Sequence, residues 1–265
     1  MLASLVGALA GCGFHGAAVT GRDAPPGSEL DGGAPIDDGV TPTSDAPGDA
    51  LSDALSDAFV SQGPALVQQA TASAPNTNAP VAAMLSSPPI SGHLLVMVGA
   101  AEHGGLSTVT GGGVPTWTRA TRSVTNSNVE IWYGVTDGSS ATVAITFPAF
   151  TLPIWMAVSE WSGMASANVL DGARSTAGTT SPASAGALAT THAHDLLIFA
   201  VTDNTPNTFG APTQGAWTAM TGVTAAPLVQ ATWYREVAAT GSYNPTVTET
   251  GHGWDAAAAA FRVAP

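Results

Sequence analysis

Between residues 64 and 265 the chain repeats itself at an offset on the order of 100 residues, and this repeat constrains the fold more than any other feature. Gly92-His-Leu-Leu-Val-Met-Val returns as Ala193-His-Asp-Leu-Leu-Ile-Phe-Ala-Val, and Pro115-Thr-Trp117-Thr returns as Gly215-Ala-Trp217-Thr. Val129-Glu-Ile-Trp132-Tyr133 matches Val229-Gln-Ala-Thr-Trp233-Tyr234. Ala141-Thr-Val-Ala-Ile-Thr matches Asn244-Pro-Thr-Val-Thr. Ile154-Trp155-Met-Ala-Val-Ser-Glu-Trp161 matches Gly253-Trp254 and the alanine run that ends at Phe261. The openings Leu66-Val-Gln-Gln-Ala-Thr and Val169-Leu-Asp-Gly-Ala-Arg also correspond.

The repeated segments are short, rich in Val, Ile, Thr, Trp and Tyr, and separated by Gly, Pro, Asn and Ser clusters. That spacing is the signature of an all-β sandwich or barrel. No segment sustains a 3.6-residue apolar period. Residues 256–260 are all alanine, which favours helix in isolation, but they fall opposite a clear strand in the first half, and context overrides propensity. The reading is an all-β, two-sheet, jelly-roll-like sandwich with internal duplication, its halves about 64–163 and 164–265. Two tandem immunoglobulin-like sandwiches are the alternative. The junction Gly163-Met-Ala-Ser-Ala-Asn168 has no proline-rich or charged linker, which favours one sandwich.

The cadence resembles a β-rich module of about 190 residues found in bacterial and phage secreted proteins. The shared marks are Gly92-His-Leu-Leu-Val96, Trp117-Thr118, Ile131-Trp132-Tyr133, Glu160-Trp-Ser-Gly163 and Ala259-Ala-Phe-Arg262. The resemblance covers roughly residues 65–263. It implies an extracellular sandwich without established activity and supplies no catalytic residues.

The N-terminus points outside the cytoplasm. The single cysteine, Cys12, closes Leu9-Ala10-Gly11-Cys12 behind a short apolar run. This is the pattern of a bacterial lipobox, in which residues 1–12 are a signal and the Cys12 thiol takes a diacylglyceryl group, with palmitate-type chains as the membrane anchor. The apolar run is far below the ~20 residues of a bilayer span. No Lys or Arg precedes Cys12, whereas lipoprotein signals carry one, so the pattern predicts a start upstream of Met1. Gly13, rather than Asp, follows the cysteine and leans toward the outer membrane.

Residues 13–63 read as a disordered acidic tether, dense in Gly, Pro, Asp and Ser. They hold nine acids and one arginine, hence −8 of the net −13. Leu51, Leu55 and Phe59 recur every four residues within low-complexity sequence, which reads as linker. A flexible chain of this length holds its cargo on the order of 40 Å from its anchor. With the lipobox, it resembles the surface lipoproteins of myxobacteria and their relatives.

Charge and motifs narrow the function. There is no lysine, and the six arginines form no cluster, so nucleic acid is not an expected partner. No Gly-x-Ser-x-Gly occurs. Glu130 and Glu160 are the best carboxylate pair for a glycosidase, but no spacing marks them as partners. His192-Ala-His194-Asp195 presents ligand types, yet it sits in a turn, where exposed histidines are the expected reading. His252 near Asp255 reads the same way. No cofactor or metal is expected.

Trp117 with Trp217, and Trp155 with Trp254, are read as equivalent core positions, with Trp161 answering to Phe261. Trp132 differs. Alternation puts Val129, Ile131 and Tyr133 on one strand face and Glu130 with Trp132 on the other. A tryptophan beside a carboxylate can stack on a sugar while the carboxylate accepts hydroxyl hydrogen bonds. The expected protein is a non-enzymatic, lipid-anchored surface module that binds glycan or another extracellular polymer. The alternatives are a structural or adhesive spacer contacting other surface proteins, and a secreted glycoside hydrolase.

Overall fold

The computed structural model describes residues 63–265, apart from 78, 103, 106–107, 147–151, 204, 206–207, 221–228 and 251–252. Cys12, the tether up to residue 62 and His252 lie outside the described residues. The described part falls in the unit Ala58–Pro265.

Every regular element described is a strand. The first half contributes β1 (Ala65–Thr77), β2 (Val81–Met84), β3 (Leu94–Ala101), β4 (Thr108–Gly111), β5 (Thr118–Ser123), β6 (Asn128–Val135), β7 (Thr142–Thr146) and β8 (Leu152–Ser162). The second contributes β9 (Leu170–Gly178), β10 (Ala183–Ser184), β11 (Leu188–Thr190), β12 (Asp195–Asp203), β13 (Thr218–Ala219), β14 (Val229–Val237), β15 (Gly241–Tyr243), β16 (Thr246–Val247) and β17 (Trp254–Phe261).

The strands pair antiparallel into two five-stranded sheets, ordered β1-β8-β3-β6-β5 and β9-β17-β12-β14-β13. Position for position, the second sheet repeats the connectivity of the first. The first half adds a small sheet, β2-β7-β4, and the second adds the pairs β11-β15 and β10-β16.

The all-β sandwich expected from the sequence is therefore what forms, and its layering explains the residue pattern. The two five-stranded sheets face each other across a core of Leu94, Val96, Ile131, Trp161, Ile198 and Phe261, among others. Two aromatic contacts cross it: Tyr133 to Phe261 at 5.4 Å and Trp161 edge-on to Tyr234 at 4.8 Å. The outer face of each sheet is covered too. In the first half Leu95, Met97, Met156 and Val158 pack under Val143 and Ile145 of the small sheet. In the second half Leu197, Phe199 and Trp233 pack with Leu188 and Val247.

Strands covered on both faces read as unbroken apolar runs rather than alternations. β3, β12 and β17 are of this kind, and each is buried along its whole length. The alanines of β17 fit the same logic. Ala256, Ala258 and Ala260 share the outer core with Phe199, which stacks on Trp233 at 5.7 Å. Small side chains there leave the volume that the large rings fill.

Register corrects one of the expected equivalences. Leu94 lies opposite Trp161, as Leu196 lies opposite Phe261. Counting from those pairs, Ala100 opposite Trp155 corresponds to Thr202 opposite Asp255. Trp155 thus answers to Asp255, not to Trp254. A one-residue offset moves a side chain to the other face, and Trp155 indeed lies in the central core while Trp254 lies in the outer core of the second half. Trp117 and Trp217 are equivalent, since Thr118 and Thr218 pair with Tyr133 and Tyr234. Both indoles, however, are half-buried at the rims of the outer cores, each donating to a backbone carbonyl, of Gly111 and Thr213 respectively.

Candidate functional site

β5 and β6 form the far edge of the first sheet, and their outer face carries Glu130 and Trp132. Arg119 pairs with Trp132 across the two strands, and Arg122 with Glu130. Alternation correctly separates Trp132 from Ile131, but the face it occupies is the outer core rather than a solvated surface. The indole is half-buried. Its Nε1–H donates to Glu130 Oε2 at 2.9 Å, and the Arg119 guanidinium lies 5.4 Å over the ring. Arg119 also sits 3.6 Å from Glu130 Oε2.

Glu130 itself has no exposed side-chain surface. As a surface acceptor for sugar hydroxyls it is therefore misplaced; it orients the indole instead. The approach is close enough to need glycine in the neighbouring loop: a Cβ on Gly105 would lie 2.9 Å from Glu130 Oε1 and 2.5 Å from the Arg122 guanidinium. A half-buried indole and a partly exposed guanidinium are thus held together by a buried carboxylate.

Glu160 lies on the outer face of the same sheet and is also fully buried. Oε1 accepts from the Ile90 backbone N–H at 2.8 Å and contacts His93 Nδ1 at 2.6 Å, and Oε2 accepts from Gln68 Nε2 at 2.6 Å. Gln68 in turn donates to the Ser87 carbonyl and accepts from the Ser86 hydroxyl. Glu160 thus clamps the loop of residues 85–93 onto β1 and β8. The two glutamates do not meet. Glu130 lies opposite Gly99 and Glu160 opposite Leu95 on the two sides of β3. Four residues of strand are about 13 Å, beyond the ~5–10 Å separation of glycosidase carboxylates.

The His192–Asp195 turn distributes its ligand types rather than gathering them. His192 Nδ1 contacts Asp171 at 3.0 Å, and His194 Nδ1 contacts Glu236 at 2.8 Å. Both histidines are exposed, as a turn predicts, while Asp195 opens β12 fully buried. Among the described residues no three His, Cys, Asp or Glu side chains converge as a metal site.

Asp171, which sequence reasoning passed over, does the connecting, together with Asp195 of the turn motif. Asp171 takes the Thr191 amide and hydroxyl, His192 and, at 3.2 Å, Arg262 Nε. Burial pushes its pKa up, but the hydrogen bonds from Thr191, Asp195 and His192 outweigh this and hold it well below the usual carboxylate range. For Asp195 the balance reverses. Burial, then the hydrogen bond to and charge of Asp171, push its carboxyl up to about 8 against the pull of Arg262. Asp171 stands at a register shift between β9 and β17, where it is the extra residue between Leu170 and Gly172; such a bulge leaves no periodic trace in a sequence.

Asp255, paired with His252 in the sequence reading, is buried and fully engaged by the other half. It accepts backbone N–H groups of Thr125, Asn126 and Ser127 at 2.9, 2.8 and 2.6 Å, and the Ser123 hydroxyl.

Fold and site together define an all-β antiparallel sandwich whose carboxylates are largely committed to holding loops, turns and rings in place. No family model, no curated protein and no solved structure matches the chain.

Proposed function

We propose that this chain is a lipid-anchored protein of the cell envelope, held at the outer membrane through Cys12 and carrying a non-enzymatic sandwich that binds glycan or another extracellular polymer. The observation that carries the binding reading is the fixed geometry of Trp132. Its indole is held from below by Glu130 and flanked by Arg119, so it meets a ligand already ordered. Ordering a contact residue beforehand lowers the cost of binding. A partly exposed guanidinium lying over an indole suits a polymer with hydroxyl and anionic groups, such as an acidic polysaccharide. The hydrolase alternative loses support, because Glu130 and Glu160 are buried, separately engaged and too far apart to act on one bond. The shared strand order of the two sheets supports descent of the halves from one duplicated unit.

One observation favours the spacer reading. The exposed large apolar side chains among the described residues are aliphatic, Val67, Met84, Ile90 and Val124, which suits contact with another protein better than with a sugar.

A glycan array probed with the full chain and with Trp132→Ala separates the two. The binding reading expects wild-type signal on a subset of polymers and at least a tenfold loss in the variant. No wild-type signal on any polymer, with capture of a single envelope protein by crosslinking on intact cells, would establish the spacer.

A further inference from the structure

Asp195 poses a problem of satisfaction. Its side chain is wholly buried at the start of β12, and no N–H or O–H donor among the described residues reaches either of its oxygens. Its hydrogen-bonding neighbour is a second buried carboxyl group, that of Asp171 on β9. Asp171 already accepts from the Thr191 amide and hydroxyl and from Arg262. Two carboxylates cannot both stay ionised in contact inside a protein, and a buried carboxylate without donors is strongly disfavoured. One proton between them removes both problems, because a protonated Asp195 donates to Asp171.

We infer that Asp171 and Asp195 share a single proton, and that this proton latches one end of the second half shut. The parts joined are specific. Asp171 fixes β9, the edge strand of its sheet; Thr191 and His192 are the turn into β12; Arg262 follows β17. When the proton leaves to solvent, two adjacent negative charges face one guanidinium. The charged and titratable groups around the pair are Arg262 beyond β17, His192 in the turn, the exposed His194–Glu236 contact between that turn and β14, and Arg174 of β9, which lines the same cavity as Asp171 and Thr191 while donating to the Ala187 carbonyl. Arg262, paired with Asp171 at 3.2 Å, is the guanidinium that meets the new charge. The turn of residues 191–194 then loosens from β9 as the medium becomes alkaline. The burial and partner charge that push Asp195 to about 8 place the transition within reach of environmental pH.

Infrared spectroscopy of the full chain tests the proton directly, because a protonated carboxylic acid has a C=O stretch that carboxylates and histidine lack. At about pH 7 ordinary Asp and Glu are ionised, so the inference expects one acid band per chain that disappears by about pH 9.5. It expects no such band in Asp195→Asn, whose amide still donates to Asp171. Hydrogen exchange at the Thr191 amide, corrected for intrinsic rate, reads the latch: protection should drop at least tenfold over the same interval in wild type and hold in Asp195→Asn. A wild type without the band at about pH 7 overturns the inference, as does a band that persists in Asp195→Asn or a protection profile shared by both proteins. If Asp195→Asn does not fold, the wild-type band and its coincidence with the loss of Thr191 protection decide the matter alone.

Discussion

The carboxylate of Asp255, on β17 in the second half, accepts the backbone N–H of Ser127 in the first half at 2.6 Å. The same carboxylate takes the amides of Thr125 and Asn126, and Asn126 returns hydrogen bonds to the carbonyls of Gly178 and Trp254 at 3.0 and 3.1 Å. A buried anion is tolerable there because backbone dipoles converge on it from the β5–β6 turn. The halves are thereby joined by polar geometry as well as by the central core.

Asp255→Ala removes that acceptor and strands three amides. Hydrogen bonds to a charged group contribute about 1.5–3 kcal/mol each, and buried donors left unpaired cost further. The expected loss is at least ~3 kcal/mol in chemical denaturation. A loss under ~1 kcal/mol would mean that water replaces the carboxylate and that the staple contributes little.

The tryptophans should separate by layer. Trp161 is buried in the central core, its Nε1–H donating to Ser159 at 2.8 Å. Trp161→Ala should cost about 3–5 kcal/mol. Trp117→Ala and Trp217→Ala should each cost less, roughly 2 kcal/mol, because both rings are only half-buried. Equal costs for all three in denaturant titrations would contradict the layering.

The pH profile follows from Asp171 and Asp195. The unfolded chain releases the Asp195 proton near pH 4, whereas the folded chain keeps it until about 8. Between those values folding takes up a proton, so stability falls as pH rises. Asp171 acts in the opposite sense. Its depressed value adds stability above the ordinary carboxylate range, and that contribution is lost as pH falls below about 4. The pair therefore favours the mildly acidic side and declines toward pH 8. Melting temperatures of wild type and Asp195→Asn between about pH 5 and 9 should diverge, with the wild type sloping downward and the variant flatter. Parallel curves would show that Asp195 is not the titrating group.

How much of this was legible beforehand depended on whether a feature is periodic. Strand identity, even for the alanine run of β17, followed from the repeat. The face of Trp132 followed from alternation, but what lay over that face did not, because one strand's pattern cannot say whether its second face meets solvent or another sheet. The unbroken apolar runs at Leu94 and Leu196 held that information. Pairing Trp155 with Trp254 failed because a shared residue type hid a one-residue offset, which only the register against β3 and β12 exposes. Of the carboxylates, Glu130 and Glu160 were visible as types on strands. Their engagement with Trp132, Gln68 and the Ile90 amide depends on loops that fold back, as does Asp171 at its bulge.

The proposed function depends first on the proposal that the sandwich is held at a membrane through Cys12. Detergent phase partitioning of the full chain, expressed with its signal in a bacterial host, tests it against Cys12→Ser. A serine oxygen cannot form the thioether. The account predicts wild type in the detergent phase and the variant in the aqueous phase. Equal partitioning of the two would contradict it.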